Sequence, residues 1–184
     1  MIVRRRFLQA GGLWLAGLAA PRVGRAATVT EIRMRSDPRG EHVGFDPVGL
    51  LLQAGTTVRW VMDSPGNPHT TTAYHPKNAN HSLRIPENAA PWDSGFLVNP
   101  GDRFEVTFPK EGVYDYFCLP HEGAGMVGRL IVGRPAGPGT QPFDYFVGKP
   151  GTAQWIAVPE AARGTFPSVA SIMADKVVRL RGTT

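Results

Sequence analysis

The chain has 184 residues with a formal charge of +5 and one cysteine, so no intramolecular disulfide can form. All five basic residues before Ala27 (Arg4, Arg5, Arg6, Arg22 and Arg25) stand without an acid among them, and the chain from Ala27 onward is formally neutral. The basic balance belongs to the N-terminus alone and gives no argument for nucleic acid or an anionic membrane as a partner.

Arg4-Arg5-Arg6-Phe7-Leu8 fits the twin-arginine pattern, with Gln9 where lysine is more usual. An apolar run over residues 11–20 and small residues around Gly24-Arg25-Ala26 follow, suited to cleavage after Ala26. Residues 1–26 therefore read as a twin-arginine signal peptide, which places the protein in the periplasm or otherwise outside by that route. The apolar run is short of the ~20 residues of a spanning helix, which favours a cleaved signal over a retained anchor, with no membrane span afterwards. The residues that remain suffice for one domain with a real core and an appendage.

Thr28-Val29-Thr30-Glu31-Ile32-Arg33-Met34-Arg35 alternates polar with apolar and predicts a half-buried strand, ended by turn chemistry at residues 36–40. Residues 45–52 form a second apolar stretch in which Pro47 favours an edge or a bulge. Thr57-Val58-Arg59-Trp60-Val61-Met62 predicts a central strand, with Trp60 large enough to fill the middle of a core. A short strand is expected near residues 70–74, then a long polar stretch over residues 75–93, from His75 to Asp93, which is either a functional surface loop or an insertion lying on a sheet. Further strands are predicted at residues 95–98, 103–108, 113–118 and 128–132. Short strands between Gly/Pro turns indicate an all-β fold, an antiparallel β-sandwich. The cut falls at Gly133, giving a domain over residues 27–133 and a linker with C-terminal extension over residues 134–184. Val169, Ile172, Met173, Lys176 or Val177, and Leu180 recur at helical spacing and predict a helix over about 167–180, packed on its own sandwich.

The chemistry concentrates in Cys118-Leu119-Pro120-His121-Glu122-Gly123-Ala124-Gly125-Met126. A thiolate, an imidazole and a thioether on one tight loop are soft and borderline donors that suit copper; two histidines, a cysteine and a weak axial methionine make a blue-copper site. The loop supplies three of the four, and a second histidine must come from elsewhere. His69, on a loop braced by Pro68, is the first candidate; His75 is its main rival, with His81 and then His42 behind. Pro120 restricts the loop before the metal arrives, and the glycines let it turn sharply.

These residues, with Asn67-Pro68-His69-Thr70 upstream and Gly112-Val113-Tyr114-Asp115-Tyr116 before the cysteine, resemble the plastocyanin, pseudoazurin and halocyanin branch of the cupredoxins over residues 29–132. The resemblance implies a Greek-key β-sandwich holding one type 1 copper through His69, Cys118, His121 and Met126. It implies that Thr70 offers its backbone N–H to the Cys118 sulfur. It also implies that His121 is the electron port in a patch with Pro120, Gly123 and Ala124. The implied activity is single-electron transfer between a redox protein donor and acceptor, by a soluble monomer that is no enzyme. The competing readings are a copper protein with an altered or open site, in which residues 75–93 bring His75 or His81 to the metal, and copper delivery, for which five methionines are few.

Overall fold

The computed structural model describes residues 29–180; the expected signal peptide lies outside them. The described residues contain nine strands: β1 (Val29–Ser36), β2 (Val43–Asp46), β3 (Gly49–Leu52), β4 (Thr56–Met62), β5 (Thr72–Ala73), β6 (Arg103–Phe108), β7 (Gly112–Phe117), β8 (Val127–Val132) and β9 (Val177–Val178). A short 3-10 helix, Leu119–Ala124, links β7 to β8, and two α-helices follow, α1 (Glu160–Thr165) and α2 (Val169–Asp175).

Period-two burial builds the first sheet, ordered β2-β1-β4-β6. Ile32 and Met34 of β1 and Val58, Trp60 and Met62 of β4 point inward and are buried, while Arg33 and Arg35 turn out toward Asp63. The second sheet, ordered β5-β7-β8-β3-β9, closes over this face. Trp60, Phe108, Trp92 and Tyr116 meet between the sheets in edge-on and tilted contacts. Burial of each such side chain contributes about 1.5–3 kcal/mol.

Both sheets are mixed rather than wholly antiparallel: β1 runs parallel to β4, and β3 parallel to β8. The cause is that the stretch over residues 45–52 is two strands in different sheets. The chain crosses at Asp46-Pro47, where proline has no N–H to continue a ladder. The strand expected over residues 95–98 is only a bridge, in which Leu97 and His69 exchange two backbone hydrogen bonds of 3.0 and 2.8 Å.

Every residue of β7 and β8 is buried, because the second sheet is covered on both faces. Tyr114, Tyr116, Leu130 and Val132 face the core between the sheets. Val113, Phe117, Val127 and Ile131 face outward and are covered by Val158, Ala162 and Ile172 of the C-terminal segment. The polar members of that outer face form a closed group. Asp115 receives Arg84 Nε at 2.7 Å and Arg129 Nε at 2.7 Å. The two guanidiniums then reach the tail, Arg84 at Gly139 O (3.0 Å) and Arg129 at Pro167 O (2.9 Å).

The helix expected over 167–180 is shorter and is followed by a strand. Ser168 caps α2 by accepting the Ser171 N–H at 2.9 Å. Lys176, at φ +64°, ends it, and Val177–Val178 then extends the second sheet beside β3. Residues 75–93 lie against the sandwich and carry buried anchors into it. Trp92 enters the core, its indole N–H donating to Thr71 Oγ1 at 3.1 Å, and Asn78 Nδ2 donates to Ala73 O and Trp92 O.

Candidate metal centre

The end of β7 and the start of β8 are paired up to Phe117↔Val127, so Cys118 and Met126 leave the sheet side by side. The Cys118 N–H donates to Met126 O at 2.9 Å, and the Met126 N–H returns to His121 O at 3.1 Å. Pro120 sits in the first turn of the short helix, and Gly125, at φ +82°, closes it. This left-handed position is one that glycine adopts without steric cost. The loop is thereby folded by its own backbone. His69 comes from the other side of the sandwich, fixed by its backbone exchange with Leu97.

The structure brings three of the expected ligand atoms to one point. His69 Nδ1 lies 3.1 Å from His121 Nδ1, and Cys118 Sγ lies 3.6 and 3.4 Å from the two nitrogens. One point is about 2 Å from all three corners of that triangle, and a first-row metal bonds imidazole at about 2.0–2.1 Å in the case of zinc. Met126 is fully buried beside them. Two imidazoles, a thiolate and a thioether are the donor set that copper takes, so the residues fit the ion.

Burial shapes the protonation of the group. It lowers His69 to about 4, helped by the neighbouring His121, and it also lowers His121. Both rings are therefore neutral donors at ordinary pH. Burial pushes the Cys118 thiol up to about 11, against the N–H groups directed at it, so the thiol must release its proton to bind a cation. The Thr70 N–H donates to Cys118 Sγ at 3.3 Å, as expected, and Thr70 Oγ1 accepts the Leu119 N–H at 2.8 Å. One residue thus holds both the sulfur and the start of the loop.

The remaining histidines are engaged elsewhere. His42 is bonded to Asp37 on the surface at 3.0 Å. His75 Nδ1 accepts the Lys77 N–H at 3.1 Å. His81 places Nδ1 3.0 Å from Asn78 O and Nε2 3.0 Å from Glu122 Oε2. Two neighbours of the site carried no sequence signal as such. Ser36, at the end of β1, has its hydroxyl 2.9 Å from His69 Nε2. Glu122, next to His121, takes hydrogen bonds from Tyr74 and His81. The parallel pairing of β1 with β4 is what brings Ser36 to the loop after β4, and no local pattern announces it.

A profile of the copper-binding proteins of the plastocyanin/azurin family matches residues 32–133. The chain belongs to this family. The plastocyanin of Prochlorothrix hollandica is 36% identical over 125 residues, 68% of this chain and 85% of that protein. The chloroplastic plastocyanin of Tetradesmus obliquus is 29% identical over 136 residues, 70% of this chain and 81% of its own length. Among solved structures, the pseudoazurin from Methylobacterium extorquens AM1 superposes with a TM-score of 0.51 at 19% identity, over 80% of this chain and 98% of that one. This cupredoxin is thus a copper protein of an electron-transfer family.

Proposed function

We propose that His69, Cys118, His121 and Met126 hold one type 1 copper ion, through which this chain passes single electrons between a donor and an acceptor protein. The observation that carries the reading is the convergence of His69 Nδ1, His121 Nδ1 and Cys118 Sγ within 3.6 Å of one another. Copper, when bound, supplies the one-electron couple, and a donor set between the preferences of its two oxidation states suits it. The chain's own part is to hold that donor set still. Backbone bonds fix the loop, Thr70 holds the sulfur, and the sandwich excludes water from three of the four side chains.

His69, Cys118 and Met126 are buried, while His121 is half-buried at the surface. The electron port is therefore His121, ringed by the exposed and uncharged Pro120, Gly123 and Ala124, with Leu119 beside them. A small apolar face suits brief redox encounters, which bury under about 1,200 Å². Donor and acceptor, sharing one port, dock in turn. Carriage is favoured over an open catalytic site because His75 and His81 are bonded away from the sulfur. It is favoured over copper delivery because Met34, Met62 and Met126 are buried, leaving only Met173 exposed among the described residues. The N-terminal pattern supports export by the twin-arginine route, with the copper domain over residues 27–133 and an extension over 134–184 acting as a monomer. No described helix is long and apolar enough to cross a membrane.

The ligand set is tested by substitution. His69→Ala is expected to abolish the visible thiolate-to-copper absorption of the copper-loaded protein, and His75→Ala to leave it intact. The reverse pattern contradicts the assignment.

A further inference from the structure

The two segments that depart from the family likeness, residues 75–93 and the C-terminal extension, meet on the buried side of the copper loop. From the first segment comes His81, and Tyr74 is the residue that precedes the segment. Tyr74 OH donates to Glu122 Oε1 at 2.6 Å, and His81 Nε2 lies 3.0 Å from Glu122 Oε2. His81 Nδ1 faces Asn78 O at 3.0 Å. Both ring nitrogens therefore face acceptors, an arrangement that a doubly protonated ring satisfies at both ends. The same ring stacks on Phe117, the residue before Cys118, with centroids 4.3 Å apart. Tyr74 is fully buried and His81 is 5% exposed, so the grip works in a medium where a lost partner is costly. From the second segment, α1 abuts Gly125, where an added Cβ would come within 2.6 Å of Thr165 Oγ1.

We propose that Glu122 is a positioning residue for the copper site: held at both carboxylate oxygens by Tyr74 and His81, with α1 behind Gly125, it fixes the short helix that carries His121. The proposal rests on His121 being a copper ligand and assigns residues 75–93 a role as a buttress for the port. No group of that segment is required at the metal. A carrier whose port histidine keeps one position in both oxidation states loses less to rearrangement at each transfer, and one exposed ligand on a short loop is the part most in need of restraint.

The test uses the full chain with Glu122→Gln, which keeps the shape and removes the carboxylate that accepts from both partners, and Tyr74→Phe, which removes only one grip. Amide hydrogen exchange of metal-free protein is read at His121 and Gly125, whose N–H groups bond to Cys118 O and Glu122 O. Exchange there is expected to rise about tenfold in Glu122→Gln and less in Tyr74→Phe, with β7 and β8 unchanged. After copper loading, the copper(II) EPR lines of Glu122→Gln are expected to broaden as His121 takes a range of orientations, with the visible absorption retained. Unchanged exchange and unbroadened lines in both variants overturn the proposal. Loss of the visible absorption in His81→Gln also overturns it, because His81 would then be a ligand. The metal-free measurement does not depend on the ligand assignment, so the two claims fail separately.

Discussion

At His69 the nitrogen turned away from Cys118 lies 2.9 Å from Ser36 Oγ. With Nδ1 presented to the metal, Nε2 carries the proton and donates to Ser36, whose own N–H is held by Ser64 Oγ at 2.9 Å. A hydroxyl there fixes tautomer and ring angle together. Ser36→Ala is expected to lower copper affinity about 10- to 100-fold, read by competition with a chelator, and Ser36→Thr to restore most of it. His81 makes a second residue-scale prediction. Burial pulls its acidity toward the neutral ring, but the hydrogen bond and charge of Glu122 outweigh this and raise it above the ordinary value of 6.5. A raised folded value means the pair stabilises the fold fully below about pH 6.5 and loses that contribution as pH rises through the folded value. The unfolding free energy of the parent minus that of His81→Gln should shrink from pH 5.5 to pH 9; a difference that grows with pH contradicts the reading. Three of the four proposed ligands, Cys118, His121 and Met126, were legible because their types and spacing on one loop state a chemistry, while His69 stood out from its rivals only through its proline-braced loop and the family resemblance. Ser36 and Glu122 were not, since a serine at a strand end and a loop glutamate acquire meaning only from what the fold sets against them.

Among the elements, β7 bears the most constraints. Its even positions face the core, its last residues lead into Cys118, and Asp115 on its outer face is fully buried between Arg84 and Arg129. Asp115→Asn leaves two buried guanidiniums without their counter-charge and releases both from the geometry that holds Gly139 and Pro167. The expected cost is about 3–5 kcal/mol, seen as a lowered unfolding midpoint in urea; a midpoint within error of the parent contradicts the role given to this group. The strands themselves were legible by alternation, from Ile32 and Met34 to Val58 and Trp60. The ends of the tail elements were not. Lys176 stops α2 at positive φ with no glycine to announce it, and Val177 fits a helical stripe as well as a strand edge. Leu97, expected in a strand, contributes a single bridge because Gly95 at φ +62° and the Pro100-Gly101 turn bound it closely.

For the whole molecule, the sandwich carries two loops to one end and buries three of the four proposed ligand side chains there, leaving the edge of His121 at the surface. His69 and Cys118 are 49 positions apart, yet their ligand atoms lie 3.6 Å from each other. Behind that end the central strands of the second sheet are packed on both faces, with the C-terminal segment forming a third layer. The sequence pattern announced the two-sheet architecture and a C-terminal helix packed on it, but not how far the third layer extends, because Phe166 and Val158 carry no periodicity and become anchors only through what the fold sets against them, Arg129 and Phe143 for the first and the outer face of β7 and β8 for the second. The measurement that bears most directly on a type 1 copper centre is the combined visible and EPR spectrum of the copper(II)-loaded protein. The predicted result is intense thiolate-to-copper absorption with a small copper hyperfine splitting. A weakly coloured protein with a large splitting would contradict it.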